Sequence, residues 1–447
     1  MRLRSGYMGG GSPTGGELAI AEAGCFRSRL RTTLVAVLAA GALLAGCTGS
    51  DEEGGAGTEL TFFIFNEPSG AYQEAAAKCS EESNGQYTIT FEFLPAQADA
   101  QREQLVRRLG AEDDSIDIVG MDVIWIAEFA NGGFVEPWSD ADAQAVTENV
   151  FDSVVESASY EDQLYAAPFT SNTQLLWYRK DRVETPPKTW DEMIAEAERI
   201  GPAEGLIQVQ ASRYEGFTVW ATAMIESAGA QILTGPTEVG LEQAPTERAL
   251  EVMGQFARSP VAPPDIDTST EDTARLSFEA SGSSFMLNYP FVYPSANENA
   301  PDVFEQMGFA RYPRVDADKP SRPPLGGINL GVSAYSKNKD LTFEAIKCLV
   351  QPENQITAAT LGGLPPVRED VYGTKALDEA YPGFSDLIKK SIDNAAPRPL
   401  TPAYTDVSLA IQRSLHPPGD LDPADVGSVY DDLYDAVDKA VQREGLF

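Results

Sequence analysis

The sequence predicts an α/β fold with a parallel sheet, spread over two domains or lobes. Two observations carry this. Between residues 60 and 130, apolar runs of strand length alternate with helix-length amphipathic segments, the pattern of a sheet covered by helices. About four hundred residues follow a Gly-rich stretch at 48–57, more than a single hydrophobic core usually serves.

The first 46 residues stand outside that fold. Arg27, Arg29 and Arg31 precede an apolar run at 34–44, which closes on Leu44-Ala45-Gly46-Cys47. A basic flank, a short apolar core and small residues before the cut make a secretory signal peptide. A membrane span is the other reading, but residues 32–46 number only 15, and a span needs roughly 20. Residues 1–24 are Gly-rich and lengthen the leader beyond the usual, so either this region is long or the start codon lies downstream. Residues 47–58 read as a flexible tether.

Residues 60–65, Leu-Thr-Phe-Phe-Ile-Phe, have the length and the aromatic and β-branched content of a buried strand. A helix over 71–83 follows, and 87–93 alternates as a second strand. Residues 102–109 are helical, 116–119 form a third short strand, and a helix over 125–130 stops at Gly132-Gly133. Strand, helix, strand, helix, strand gives a parallel sheet. Further on, 163–169 and 174–178 are extended. Thr189 and Glu192 have capping-box spacing at the start of a helix, and 217–228 is the next helix. A strand at 284–289 runs into Pro290, and residues 311–324, with four prolines, form a connector. A strand at 328–333, a helix at 343–350 and an amphipathic helix at 429–442 complete the chain, without internal repeats.

The chain holds 33 Lys+Arg against 68 Asp+Glu; five Arg and two Glu fall in the first 46 residues, leaving about −38 beyond them. That charge excludes a nucleic-acid partner and a polybasic membrane contact. Cys25 lies in the leader and Cys47 at the cut, so Cys79 and Cys348 remain. In an oxidising compartment these form one disulfide or stay as two buried thiols, and export favours the bridge. The single histidine, His416, reads as a surface residue beside a proline turn; it leaves no His pair for zinc and argues against a Ser-His-Asp triad. No Gly-Lys pair, Cys-x-x-Cys or strand-linked Gly-x-Gly-x-x-Gly occurs, so no metal or cofactor is expected. The many carboxylates leave open a secreted glycoside hydrolase, although no spacing singles out a pair.

Several segments recur in a fixed order: Asp122-Val123-Ile124-Trp125, Phe134-Val135-Glu136-Pro137, Ala167-Pro168-Phe169, Leu176-Trp177-Tyr178-Arg179-Lys180-Asp181, Pro187-Lys188-Thr189-Trp190-Asp191-Glu192, Met286-Leu287-Asn288 and Gly326-Gly327-Ile328-Asn329-Leu330-Gly331-Val332. In this order they resemble the sugar-binding proteins of bacterial ATP-driven (ABC) importers, of the maltose-binding type, over nearly all of the chain after the tether. Asn66-Glu67, Cys79, Asn288-Tyr289-Pro290-Phe291-Val292-Tyr293, Cys348 and Pro397-Arg398-Pro399 are most similar to the trehalose-binding lipoproteins of actinobacteria, with Tyr289 where that group's pattern places Trp. Leu44-Ala45-Gly46-Cys47 resembles a lipobox, which implies cleavage before Cys47 and lipidation of its thiol.

The resemblance implies a periplasmic-binding-protein-like fold of two lobes, 59–168 plus 314–370 and 169–313 plus 371–447, joined by a hinge around a central cleft. Cys79 and Cys348 then share a lobe, which favours their bridge. It further implies a monomer without a catalytic step, held to the cell membrane only by its lipid. Its partners are a disaccharide, trehalose or a related α-glucoside, and the transmembrane subunits of a permease. A surface sugar sensor without a transported ligand is the alternative binder.

A disaccharide asks for carboxylates and amides for its hydroxyls and an aromatic platform for its C–H faces. Asn66 and Glu67 follow the first strand at the carboxyl end where α/β ligands bind, or form a turn before Pro68. Asp122 follows the third strand as ligand group or helix cap. Asn172 sits where the chain changes lobes, Glu271 in a loop before a helix that holds Phe278, and Asn288 and Tyr289 at a strand end, with Tyr289 placed to stack on a pyranose. Gly327 offers close backbone approach. Arg398, rigid between two prolines, fits a bidentate contact to hydroxyls or an ion pair with a carboxylate. Facing an open cleft, it would matter for affinity and little for ligand-free stability.

Overall fold

A computed structural model describes residues 57–442. The expected signal peptide, the expected lipidation site Cys47 and all but the last two residues of the expected tether lie outside the described residues. The first sheet orders its strands Tyr87–Leu94, Thr58–Phe65, Ile118–Asp122, Leu325–Val332, Ala167–Thr173. Thr58–Phe65 pairs in parallel with both of its neighbours, through the crossover helices Ala71–Glu82 and Ala98–Leu109. The other two pairings are antiparallel, so the sheet is mixed rather than parallel. Parallel pairing needs a crossover that returns the chain to the same end of the sheet. Leu325–Val332 instead arrives through the prolyl connector 311–324, which enters from the opposite end.

Leu60, Phe62 and Ile64 pack with Tyr72 and Ile346 on one face, and Phe63 packs with Leu105, Leu109 and Trp125 on the other. Side chains alternate across a strand, so a run buried on both faces has no polar alternation. The second sheet orders Met307–Ala310, Leu175–Arg179, Ser283–Asn288, Leu206–Gln208. Leu176, Phe285 and Leu287 face Trp190, Phe217 and Trp220; Leu175, Trp177 and Met286 face Phe278 and Phe384.

Two passes link the strands of the two sheets. Gln174 alone separates Thr173 of the first from Leu175 of the second. The connector 311–324 returns, and the segment carrying Arg398 runs beside it: Ala396 donates its N–H to Pro323 (2.7 Å) and accepts from Leu325 (3.0 Å). Thr189 caps helix Trp190–Ile200 by accepting the Glu192 N–H (3.2 Å), while the Glu192 carboxylate takes the N–H of Lys188 (2.7 Å). The box is thus shifted by one residue from its usual reciprocal form. Cys79 and Cys348 are bonded, tying helix Ala71–Glu82 to helix Lys339–Leu349. His416 is not a surface residue; it is half-buried, with its ring edge-on to Phe217 at 5.5 Å. Among the described residues no helix is long and apolar enough to cross a membrane.

Helix Glu215–Ala228 carries a titrating group near its end. Burial pushes the Glu226 carboxyl from 4.5 up to about 8, against the pull of Arg322. A raised folded-state value means that the native state prefers the protonated form. Its stabilisation is full below about pH 4.5 and is lost as pH rises through about 8. Glu226→Gln is expected to flatten the fall in melting midpoint between those limits. Parallel pH–melting curves for variant and parent would refute this.

Candidate ligand-binding site

A cavity of about 390 Å³ opens where the parallel strands of the first sheet end, the position at which open α/β sheets bind ligands, and its size suits a small-molecule site. Asn66 and Glu67 follow strand Thr58–Phe65, and Asp122 ends strand Ile118–Asp122. Ser171 and Asn172 come from the edge strand, and Gly326 and Gly327 from the strand beside it. The opposite wall is built by two helix starts, Tyr214-Glu215 and Glu271-Asp272, together with Tyr289 just beyond strand Ser283–Asn288. Arg398 reaches in from the segment that runs beside the connector 311–324.

Eight of the nine expected ligand positions therefore line one space: Asn66, Glu67, Asp122, Asn172, Glu271, Tyr289, Gly327 and Arg398. Asn288 does not. It is fully buried, donating from Nδ2 to the Glu271 carbonyl (2.9 Å) and accepting the Tyr289 N–H on Oδ1 (2.9 Å). It fixes the backbone of two lining residues from behind. Glu271 is not in a loop but is the first residue of helix Glu271–Glu279. Thr270 and Thr273 cap each other there, with Thr273 Oγ1 accepting the Thr270 N–H at 2.7 Å. The helix thus starts before the Phe278 run that marks it in sequence.

Arg398 is enclosed, its side chain 4% exposed. One Nη donates to Glu215 Oε1 (2.7 Å) and the other to Asp122 Oδ1 (3.0 Å). Glu215 also accepts from the Tyr404 hydroxyl and from Ser408 Oγ (2.7 Å), and Ser408 is held by Thr218 (2.7 Å) and Gln412 (3.0 Å). Burial opposes the charge on Arg398, but Asp122, Tyr404 and Glu215 outweigh it and hold its proton well above the ordinary arginine value. Burial pushes the Glu215 carboxyl up, against Arg398, Tyr404 and Ser408. Because a guanidinium does not give up its proton, the ionised pair is the state that leaves no lone buried charge. Asp122 lines the cavity and also acts as a cap: its Oδ1 accepts the Ile124 N–H (3.3 Å) at the next helical turn.

Glu67, 6% exposed, accepts the Ser69 N–H on both oxygens (3.1 Å each) and the Ser69 hydroxyl. Across the cavity the Tyr214 hydroxyl donates to Glu271 Oε2 (2.6 Å). Burial pushes the Glu271 carboxyl up, opposed by that hydrogen bond. Tyr214 can lie there because the next glycine gives way: a Cβ on Gly216 would meet its hydroxyl oxygen at 2.2 Å. Tyr289 is half-buried, and burial followed by the Glu271 charge raises its hydroxyl, so it stays a donor.

Gly327 has a reason apart from any ligand. Its φ is +144°, and a Cβ would sit 2.3 Å from the Thr170 carbonyl, just before the pairing of the two strands slips between Ile328 and Asn329. Gly327→Ala is expected to cost about 1–3 kcal/mol from backbone strain alone, read by urea unfolding; a variant as stable as the parent would contradict it. Tyr214, Glu215, Ser171, Gln97 and Gln101 also line the space without any sequence signal beyond an acidic first helical turn at Glu215.

Residues 65–356 match the family described as bacterial extracellular solute-binding protein. A probable ABC transporter-binding protein of Deinococcus radiodurans is 27% identical over 346 residues, covering 74% of this chain and 81% of its own. The diacetylchitobiose binding protein DasA of Streptomyces coelicolor is 23% identical, covering 76% of this chain and 83% of its own. Among solved structures, maltose-bound MalE3 of T. maritima superposes with a TM-score of 0.77 at 25% identity, over 86% of this chain and 99% of that one. A maltotriose-bound protein of Thermus thermophilus shares the fold, with a TM-score of 0.70 at 21% identity over 86% and 100% of the two chains.

Proposed function

This chain belongs to the bacterial extracellular solute-binding proteins, and from that premise we propose that it captures a disaccharide, trehalose or a related α-glucoside, for an ABC importer. The observation that carries the reading is one cavity lined by Asn66, Glu67 and Asp122 at strand ends of the first sheet, by Glu271 at a helix start and by Tyr289 just beyond a strand of the second. A sugar that touches both walls favours the state in which they are close, so binding shifts the population toward closure. The lobes would be 59–168 plus 314–370 and 169–313 plus 371–447. In this reading the protein is an extracytoplasmic monomer without a catalytic step, anchored through Cys47, and it presents the closed form to the permease. The hydrogen bonds of Glu67, Asp122, Glu215 and Glu271 to the protein's own donors support holding hydroxyls rather than shuttling protons.

A ligand that binds only the folded state raises the melting midpoint. Trehalose or maltose is expected to do so, and glucose less. A flat response to every disaccharide tried would sink the reading, and glucose released from trehalose by the pure protein would favour the hydrolase. Fractionation of cells tests the anchor: Cys47→Ala should leave the membrane fraction, and a variant that remains there rules the anchor out.

A further inference from the structure

We propose that this cavity selects saccharides by charge, accepting neutral and ammonium-bearing sugars and rejecting those with a phosphate, sulfate or carboxylate. The inference rests on the saccharide reading above and sharpens it. Arg398 is the sole cation among the cavity's lining residues; both of its Nη groups are already on Asp122 and Glu215, which leaves one enclosed Nε–H without a partner. Glu67 and Glu271 stand in the same lining, served only by the neutral donors of Ser69 and Tyr214, and neither enters an ion pair among the described residues. Ser171 lies in the same lining, 1% exposed, and its hydroxyl has no hydrogen-bond partner.

An anion brought here meets two carboxylates and a guanidinium whose charge is already matched by Asp122 and Glu215, with a single enclosed Nε–H left to offer. To gain the two-pronged contact that an anionic group asks of an arginine it would have to draw Arg398 away from Glu215, leaving a buried carboxylate unpaired, which is strongly unfavourable. An ammonium meets two carboxyl acceptors and, carrying the charge itself, forms the stronger, charge-assisted type of hydrogen bond with either. Burial already holds the Glu271 carboxyl above its ordinary range, and an ammonium would supply the counter-charge it lacks. The field of the whole chain, formal charge −35, acts in the same sense on approach, slowing anions and drawing cations.

The test is calorimetry on the purified protein with a size-matched series: trehalose, its 6-O-methyl ether, 6-amino-6-deoxytrehalose and trehalose 6-phosphate, with maltose and maltose 1-phosphate as a second pair. The amino sugar is expected to bind at least as tightly as the methyl ether, and each phosphate roughly a hundredfold or more below its neutral parent. Glu271→Gln or Glu67→Gln should lower the amino-to-ether ratio. A phosphate within about tenfold of its neutral counterpart overturns the proposal, as does an amino sugar about tenfold weaker than the ether, or a ratio that neither variant moves. Neutral disaccharides that fail while the amino sugar binds would remove the proposed function and leave charge selection standing. Neutral binding with an equal phosphate does the reverse, and silence from the whole series removes both.

Discussion

Arg398→Ala is expected to destabilise the sugar-free protein by about 3–5 kcal/mol, the usual consequence of breaking a buried ion pair from one side. The guanidinium joins Asp122 to Glu215, and its loss leaves the Glu215 carboxylate enclosed with only hydroxyl donors. Arg398→Lys should recover part of this at most, since an ammonium has no planar fork to span two carboxylates. Removing both partners, in Arg398→Met with Glu215→Gln, should be milder than Arg398→Ala alone, because replacing a whole buried pair is often close to neutral. An arginine open to the cleft would behave otherwise: apo stability would change by about 1 kcal/mol or less, within the range of ordinary surface substitutions, and only sugar affinity would fall. Urea unfolding of the three variants without ligand separates the two outcomes. An Arg398→Ala protein as stable as its parent would show that the bridge does not hold the fold together.

The second large effect belongs to the disulfide. Cys79 and Cys348 are 269 residues apart, so their bond closes a very long loop in the unfolded chain, where the entropic constraint is greatest. Removing both, Cys79→Ala with Cys348→Ala, should cost about 2–5 kcal/mol. The bond joins the backs of helices Ala71–Glu82 and Lys339–Leu349, and neither cysteine lines the cavity. Sugar affinity should therefore stay within about twofold of the parent while the melting midpoint drops. An unchanged midpoint after reduction, or peptide mapping that finds both thiols free, would count decisively against it.

Sequence alone determined the local features of this protein. The alternation from residue 60 to 130 marked the parallel part of the first sheet, because strand and helix periods are set by the backbone and by the partition of neighbouring side chains between core and water. Thr189 marked a helix start for the same local reason. Asn66, Glu67 and Asp122 were legible as cavity residues because the carboxyl end of a parallel strand is a fixed place in an α/β fold. Tertiary structure decided what depends on distant segments meeting. Asp122 and Arg398 are 276 residues apart, and no pattern in either neighbourhood says which carboxylate takes the guanidinium. Helix Tyr404–Leu415 is obscured in sequence by Ser408 and Gln412, which are buried because they serve Glu215 and its partners. Gly327 reads in sequence as a point of close backbone approach, yet what approaches it is the Thr170 carbonyl of another strand. Asn288 turned inward because the start of helix Glu271–Glu279 lay there to accept its hydrogen bond. Periodicity is a property of a chain's neighbours along the sequence, whereas the partner of a buried charge is chosen by the packing that excludes water from it.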